Sequence, residues 1–447
     1  MMSRLHISLW GSLIALSILW LVFEPNAYTF APFFSLRGNM VQYFGILAMG
    51  CMSVIMILAL RPRWLEGWIG GLDKMYRLHK WLGISALVLS VTHWLWAKGP
   101  KWAVGLGLLE RPQRGPRPQL ESGTVEAALS SLRGFAEDVG EWAFYGAAAL
   151  MVLALIKWFP YRLFFKTHRL LAVTYLVLAF HAAVLLKFSY WATPLGAVMG
   201  VLLTSGVVAA VIVLLRRVAR DRKVNGTIRD LRYHPTMRTL EIDVEVPANW
   251  PGHQAGQFAF AMSDPSEGPH PYTIASAWDA STPRLTFMVK ELGDHTRRLQ
   301  QKLTIGQPVT VEGPYGRFTF EDRSPRQIWV SGGIGLTPFL ARLEQLAKSP
   351  DSGKQIDFFH CAAEADDGVI ARLKAAASAA GVRLHLLVTP QDGLLDGDKI
   401  RTTVGEWQQA SLWFCGPAGF GLSLRRDFAS KGLNVGRKFH QELFSMR

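Results

Sequence analysis

Six apolar stretches in the first half of the chain limit its fold more than any other feature of the sequence. Each is close to the roughly 20 residues that a helix needs to cross a bilayer. They are Leu5–Phe23, Met40–Leu60, Trp81–Ala97, Val139–Trp158, Leu170–Leu186 and Leu195–Leu215. The run behind Arg4 is longer than a signal-peptide core, which favours an uncleaved helix. The sequence therefore predicts an all-α six-helix transmembrane bundle that is embedded in the lipid bilayer.

The basic residues predict how this bundle is oriented. Residues 1–223 contain 23 Lys and Arg against 10 Asp and Glu, while the remainder contains 25 against 24. The excess lies between spans 2 and 3, between spans 4 and 5, and after span 6, which makes these segments cytoplasmic by the positive-inside rule. Both termini are then cytoplasmic, and the loop from Lys98 to Asp138 faces outward. This distribution argues against nucleic-acid binding, although the net charge is +14.

After Lys223 the sequence becomes that of a soluble protein. Alternation in 240–246 indicates a half-buried strand, and further strands are expected at 257–261 and 284–290. Short strands between Pro and Gly turns predict a small antiparallel β-barrel up to about Phe320. Beyond Pro325, strands at 328–331, 356–359, 382–388 and 411–414 alternate with helices, as in an α/β parallel sheet. We therefore expect three domains, at residues 1–222, 223–322 and 323–447.

Four of the five histidines in the membrane half form two pairs that bracket spans 3 and 5. His79 and His93 are 14 residues apart, so on an ideal helix they share a face about 21 Å apart along the axis. His168 and His181 are 13 residues apart, which leaves their rings about 140° apart unless a turn is tightened or the helix bulges. Imidazole is a good axial ligand for haem iron. The pattern predicts two stacked haems, with His79 and His168 as ligands of the inner one and His93 and His181 of the outer one.

The competing interpretation is that these residues are interfacial or hydrogen-bonded histidines. His6 is left over and is expected to be structural. The three cysteines include no C-x-x-C pair, so neither a disulfide framework nor a thiolate zinc site is supported.

Three segments of the soluble half carry a resemblance to a known family. His270-Pro-Tyr-Thr-Ile-Ala-Ser276, Val289-Lys-Glu-Leu-Gly-Asp-His-Thr296 and Glu312-Gly-Pro-Tyr-Gly316 resemble flavin-binding segments of the ferric reductase and NADPH oxidase superfamily, closest to its bacterial ferric-reductase-like branch. The resemblance implies that the barrel binds FAD, with Tyr272 and Thr273 against the isoalloxazine. The residues it implies for FAD binding are His270, Pro271, Tyr272, Thr273, Ser276, Lys290, Gly293 and Thr296.

Two further segments resemble the nicotinamide-binding half of ferredoxin reductases. They are Ser331-Gly-Gly-Ile-Gly-Leu-Thr-Pro338, whose backbone N–H groups suit a pyrophosphate, and Phe414-Cys-Gly-Pro417. The resemblance implies nucleotide binding by Gly332, Gly333, Gly335, Thr337, Pro338, Cys415, Gly416 and Pro417, with Cys415 beside the nicotinamide. It also implies that Phe444 covers the flavin, so Cys415, Phe444 and Thr273 are the expected catalytic residues.

The donor nucleotide stays open between NADPH and NADH. Members of the family that prefer NADPH commonly place an arginine just after the cysteine of the second nucleotide strand. In this sequence Cys361 is followed by Ala362, Ala363 and Glu364, which weakens the case for NADPH.

The resemblance implies a transmembrane oxidoreductase, and the absence of long eukaryotic-type insertions favours a bacterial inner membrane. Electrons would pass from cytosolic NAD(P)H through FAD and two b-type haems to an acceptor outside. A ferric chelate is the first choice, because the position four past His93, where oxidases of the family commonly have a second histidine, is Ala97. The alternatives are an oxidase that reduces O2 to superoxide, a reductase for a partner protein, and a non-enzymatic haem redox sensor or proton conduit.

Overall fold

The computed structural model describes residues 4–24, 32–110, 120–156, 158–349, 353–364 and 366–442. The chain divides into two compact units, one of residues 2–69 and 74–218, the other of residues 70–73 and 219–446. The first is helical, and the second contains two β-sheets. The predicted boundary at residue 322, between the two soluble domains, stays a prediction.

The helices of the first unit follow the apolar stretches. They are α1 (Arg4–Phe23), α2 (Phe33–Ala59), α3 (Arg63–Ile69), α4 (Leu72–Gly105), α5 (Val125–Leu155), α6 (Tyr161–His168), α7 (Leu171–Leu185), α8 (Phe188–Trp191) and α9 (Pro194–Leu214). The ends of two long helices are marked in the sequence: Thr124 caps α5 by accepting from the N–H of Ala127, and Thr193 caps α9, which begins with Pro194. The apolar faces of α2, α7 and α9 meet in a core that includes Tyr175, Met199 and Leu203.

Five segments of the described residues are long and apolar enough to cross a membrane: Leu5–Phe23, Phe33–Ala59, Val125–Leu155, Tyr161–Leu185 and Pro194–Leu214. The predicted third span, Trp81–Ala97, forms the middle of α4 but is not among the five. Its tryptophans, together with His93, make it less apolar than the others.

Two details of the helical half differ from the sequence-based expectation. The predicted outer loop, 98–138, contains the end of α4 and the start of α5, because Thr124 provides a cap well before the apolar run begins. The predicted fifth span is divided into α6 and α7. Between them the N–H groups of Leu170, Ala172 and Val173 bond to carbonyls three residues back, so the chain winds by about 120° per residue instead of about 100°. This tightening reduces the angular mismatch between His168 and His181.

The first sheet of the second unit is antiparallel. Its strands are β1 (Lys223–His234), β2 (Thr239–Glu245), β3 (Phe258–Met262), β4 (His270–Thr273), β5 (Arg284–Lys290) and β6 (Pro308–Tyr315), in the order β4-β3-β6-β1-β2-β5. Ile274, directly after β4, forms an antiparallel bridge with Phe287 of β5 and so links the two edge strands. The predicted closure into a barrel depends on this bridge. Helix α10 (Asp294–Lys302) follows β5.

The second sheet is parallel, as the alternation of strands and helices indicated. Its strands are β7 (Arg326–Gly332), β8 (Gln355–Ala362), β9 (Arg383–Val388), β10 (Ala410–Cys415) and β11 (Phe439–Gln441), in the order β11-β10-β7-β8-β9. The connecting helices are α11 (Thr337–Lys348), α12 (Asp367–Ala379), α13 (Thr389–Asp392), α14 (Gly397–Thr403), α15 (Ala418–Ser430) and α16 (Val435–Lys438). The strand order reverses between β7 and β10, and open α/β sheets bind ligands in the crevice outside such a switch point.

One buried carboxylate joins three strands of this sheet. Asp357 of β8 is completely buried and contacts Arg326 of β7 at 3.4 Å and both Arg383, at 2.8 Å, and His385, at 3.2 Å, of β9. Removing the carboxylate would leave the largely buried Arg326 without its charged partner.

We therefore expect Asp357→Ala to destabilise the parallel-sheet half by about 2 to 4 kcal/mol, because Arg326 is itself largely buried. Thermal unfolding of the full chain in detergent, followed by tryptophan fluorescence, provides the measurement. Glu406→Gln, which alters an exposed carboxylate in the same half, is the control. Equal melting temperatures for the two variants would contradict the role of Asp357.

Candidate functional site

The helical unit brings its four histidines together as two facing pairs. The ring centres of His79 and His168 are 5.9 Å apart, and those of His93 and His181 are 6.3 Å apart. Each pair joins α4 to the α6–α7 segment, which contains the tightened turn. All four rings are only partly exposed.

Three of the four imidazoles form hydrogen bonds with backbone carbonyls of neighbouring helices. Nδ1 of His93 lies 2.9 Å from the carbonyl oxygen of Val41, and Nδ1 of His181 lies 2.8 Å from that of Ala136. His79 bonds to the carbonyl of Ile55. Because a carbonyl only accepts, Nδ1 of His93 and of His181 carries the proton, which leaves Nε2 with a free lone pair.

The fourth imidazole, that of His168, differs from the others. Its Nδ1 is buried without a hydrogen-bond partner among the described residues. Instead, the ring stacks on Phe164, one helical turn earlier, with the ring centres 4.9 Å apart. His168 is therefore held by ring stacking.

Two glycines make room for the rings of one pair. A Cβ on Gly140 of α5 would lie 1.9 Å from Nδ1 of His181, so no side chain fits there. A Cβ on Gly45 of α2 would lie 3.2 Å from the ring of His93. The helices beside this pair thus approach it with bare backbone.

The two pairs fit the requirements of bis-histidine haem ligation. With metal–imidazole bonds of about 2 Å, two rings on opposite sides of one iron have their centres about 6 Å apart. Metal-ligating histidines commonly donate their other ring N–H to a carbonyl. The described residues contain no group of three or more His, Cys, Asp or Glu that could hold a metal ion, so each pair offers two imidazoles and no further ligand.

In the antiparallel half, the residues expected to bind FAD lie on β4, on β5 and at the start of α10. Tyr272 is half-buried and Thr273 is buried. The ring of His270 is stacked on that of His295, with ring centres 3.9 Å apart; burial, and secondarily the neighbouring His295, lowers the pKa of His270 to about 4. A Cβ on Gly293, the N-cap of α10, would meet nothing within 4 Å. The open start of this helix suits a diphosphate.

Two of the residues expected to bind the flavin form hydrogen bonds with the protein's own backbone. The hydroxyl of Ser276 is buried and accepts from the N–H of Thr286. The hydroxyl of Thr296 accepts from the N–H groups of Leu292 and Gly293. Both therefore shape the two segments of backbone around the site.

The expected nucleotide residues lie at the switch point of the parallel sheet. The loop after β7 packs directly on the loop after β10: a Cβ on Gly335 would lie 2.2 Å from the carbonyl oxygen of Cys415, and one on Gly416 would lie 3.0 Å from the N–H nitrogen of Gly332. Gly333 has a φ of +55°, which favours glycine. Thr337 and Pro338 begin α11, and Pro417 lies 2.9 Å from a Cβ placed on Gly332.

Sequence reasoning missed one residue at this site, Glu442. It belongs to the segment Phe439-His-Gln-Glu-Leu-Phe444, for which only the final ring was given a role. Its carboxylate is buried and acts electrostatically on Cys415, which is also buried. Burial, reinforced by this carboxylate, raises the pKa of Cys415 well above its ordinary value of 9.0. Phe444 lies outside the described residues.

The comparisons with known proteins agree with this division. Residues 44–179 match the family described as "Ferric reductase like transmembrane component", and residues 224–319 match the family described as "FAD-binding domain". A flavohemoprotein of Oceanobacillus iheyensis is 25% identical over 164 residues, covering 34% of this chain and 40% of that protein. An NADPH oxidoreductase of Mycobacterium tuberculosis is 28% identical over 178 residues, covering 39% of this chain and 46% of that protein.

Among solved structures, the flavohaem-like FAD/NAD-binding domain of a nitric oxide dioxygenase from Vibrio cholerae is 20% identical. It covers 49% of this chain and 97% of that domain, with a TM-score of 0.42. The chain spans less than half the length of the two curated relatives.

The apolar helices and the two matched families indicate a membrane protein with a flavin-binding part. Its first half is similar to ferric-reductase-like transmembrane components, and the start of its second half is similar to FAD-binding domains. This order of segments is that of a ferric-reductase-type fusion.

The raised pKa of Cys415 predicts a thiol that stays protonated at pH 9.0, where an ordinary cysteine is half ionised. We expect no measurable alkylation of Cys415 by iodoacetamide in the folded chain at that pH, and rapid alkylation in denaturant, as read by mass spectrometry. Because the unfolded thiol ionises first, the contribution of Cys415 to stability should be lost as the pH rises above 9.0. Fast labelling of the native thiol at pH 9.0 would contradict the assignment.

Proposed function

We propose that this protein carries electrons across a membrane, from NAD(P)H on the cytoplasmic side to a ferric chelate on the other. FAD and two haems, each held by two histidines, serve as its cofactors. One observation carries the proposal: two pairs of facing imidazoles, at the spacing of bis-histidine ligation, on helices of a ferric-reductase-like domain. His79 and His168 would hold the inner haem, and His93 and His181 the outer one.

When bound, the flavin converts a transferred hydride into single electrons, and the haems carry these one at a time. The protein supplies position and environment. Val41, Ile55 and Ala136 orient three of the ligand rings through their carbonyls. Because His93 and His181 would both be engaged with the outer iron, they would leave no protein-free ligand position there, and an acceptor would have to receive its electron without binding that iron.

In the second unit, Tyr272 and Thr273 would lie against the flavin ring, and Lys290 with the start of α10 would bind its diphosphate. Cys415 would lie beside the nicotinamide, where a neutral thiol offers an uncharged surface to the hydride donor. Burial, reinforced by the carboxylate of Glu442, raises the pKa of that thiol and keeps it protonated.

The residue four positions after His93 favours a ferric chelate over dioxygen as the acceptor. Ala97, four past His93, has no side chain that could hydrogen-bond oxygen, and its carbonyl accepts from the guanidinium of Arg37 at 2.8 Å. An oxidase that forms superoxide is the alternative outcome of the test below.

The membrane arrangement is part of the proposal. We assign six spans, the five apolar segments and the middle of α4, with both termini and the second unit in the cytoplasm of a bacterium. The basic residues between spans 2 and 3, between spans 4 and 5, and after span 6 support this orientation. The pairing of α4 histidines with those of the α6–α7 segment supports the inclusion of α4.

The test uses full-length protein in proteoliposomes that contain ferric citrate and a ferrous-iron indicator. NADH or NADPH is then added outside, where it reaches only molecules whose second unit faces outward. Ferrous iron should appear inside the vesicles, and superoxide dismutase enclosed with the ferric citrate should not change its rate. Loss of the signal with dismutase would identify the oxidase, and a single reduction without turnover would identify a redox sensor.

His93→Ala should lower the Soret absorbance per protein by about half, because one of two haems loses an axial ligand. Iron reduction inside the vesicles should fall to less than about a tenth, whereas reduction of the flavin by nucleotide should persist. His6→Gln, in the same half but outside the pairs, should change none of these. Unchanged iron reduction in the His93→Ala protein would overturn the proposal.

Gly140→Ala tests the space around His181. The added methyl group would lie 1.9 Å from Nδ1 of His181, so the ring must move. We expect a change in the spectrum of one haem and a loss of about half of the Soret absorbance. Gly134→Ala is the matched control, since it places the same group on the same helix with nothing within 4 Å. If both variants retain the wild-type spectrum, the proposed position of the outer haem is wrong.

A further inference from the structure

Gln42 of α2 joins this helix to the end of α7. Its side-chain amide donates to the carbonyl oxygen of Leu185 at 2.9 Å and accepts from the N–H of Lys187 at 3.2 Å. Leu185 is the last residue of α7, and the last four carbonyls of a helix have no partner within that helix. Gln42 therefore caps α7 from a neighbouring helix, and its two bonds fix the chain at the end of α7 against α2.

Both histidines of the outer pair lie close to this contact. The carbonyl of Val41, the residue directly before Gln42, accepts from Nδ1 of His93 at 2.9 Å. His181 lies four residues before Leu185, which is about one turn of α7. If α2 shifted along α7, the carbonyl that orients His93 would move relative to the ring of His181.

A buried polar cluster fixes the position of Lys187. Nζ of Lys187 lies 2.5 Å from the carboxylate of Glu24, directly after α1, and 3.1 Å from the side-chain oxygen of Asn39 on α2. The hydroxyl of Tyr190 donates to the same carboxylate. Glu24, Asn39 and Tyr190 are all buried. Ionic groups are costly in an apolar bundle and usually have a functional role there, and this cluster connects α1 and α2 to the residue that Gln42 binds.

The rings of the two histidine pairs differ in their relative orientation. The planes of His93 and His181 make an angle of 82°, whereas those of His79 and His168 make an angle of 54°. The angle between two ligand planes sets the symmetry of the field at a low-spin iron, so it affects both the EPR signal and the reduction potential. The outer pair is therefore the one with nearly perpendicular rings.

We propose that Gln42 is a positioning residue for the outer haem, and that its two hydrogen bonds at the end of α7 keep the rings of His93 and His181 nearly perpendicular. The inference rests on the proposed function, since it takes the two rings as ligands of one iron. Gln42 acts through Val41, its neighbour on α2, and through the end of α7. Lys187, held by Glu24, provides the fixed N–H group that Gln42 binds.

The test replaces Gln42 with leucine in full-length protein loaded with haem, which removes both hydrogen bonds and keeps a side chain of similar size. The EPR signal of one low-spin haem should move toward that of parallel rings, and the midpoint potential of the same haem should shift. The signal and potential of the other haem should stay unchanged. Transfer of the affected haem to apomyoglobin should become about tenfold faster, since partners outside the ligand shell have effects of this size.

A second variant and a control accompany this substitution. Gln42→Glu keeps the acceptor for Lys187 and loses the donor to Leu185, so it should move the same signal in the same direction. Thr92→Ala is the matched control, because Thr92 lies beside His93 and its hydroxyl donates to the carbonyl of Val88 in its own helix at 2.9 Å. This variant removes a hydrogen bond within one helix and should leave both signals in place.

The outcomes separate a positioning role from a general loss of stability and from a failure of the proposed function. Unchanged signals and potentials in Gln42→Leu, even with a lower melting temperature, overturn the role of Gln42 and leave the two haems in place. Equal shifts of both signals indicate a loosened bundle and overturn it as well. A wild-type protein without any low-spin haem signal overturns both proposals.

Discussion

The hydrogen bonds that buried imidazoles need in an apolar bundle explain much of the helical unit. A ring nitrogen away from water needs a partner, and for His79, His93 and His181 the partners are backbone carbonyls of neighbouring helices. Val41 and Ile55, which accept from His93 and His79, are 14 residues apart on α2, as are the two histidines on α4. The two helices therefore repeat the same contact at two levels, running in opposite directions. This match aligns α4 with α2 and fixes the tautomer of His93.

In both units, a glycine allows the backbone of one segment to lie very close to an atom of another segment. Gly140 lets α5 lie against the ring of His181, and Gly335 lets the loop after β7 lie against the carbonyl of Cys415. At each point a methyl group would overlap an atom about 2 Å away. In the helical unit the missing side chain leaves space for a ring, and in the parallel sheet it lets the loops after β7 and β10 pack together. Glycine is used at both because packing, not backbone flexibility, demands it.

Electrostatics divides the second unit into a neutral part and a charged part. Around Cys415, burial and Glu442 keep the thiol protonated, and burial lowers the pKa of His360 to about 4, so that it stays neutral in its hydrogen bond with Ser331. At the end of β8, in contrast, Glu364 keeps an exposed charge while nearby arginines are paired. The end of β10 thus has a protonated thiol, and the end of β8 has an exposed carboxylate.

The amino-acid sequence by itself was enough to predict the helical first half, the parallel sheet and the motifs of the ferric reductase type, since hydrophobic periodicity and glycine loops are local signals. Arg284–Lys290 is a strand with the predicted bounds. The tightened turn at Arg169–Leu170, the 14-residue match between α2 and α4, the place of Gly140 beside His181 and the burial of Glu442 were decided only by the tertiary structure. Each of these depends on which residues of distant segments meet, and a pattern within one segment has no information about its partner.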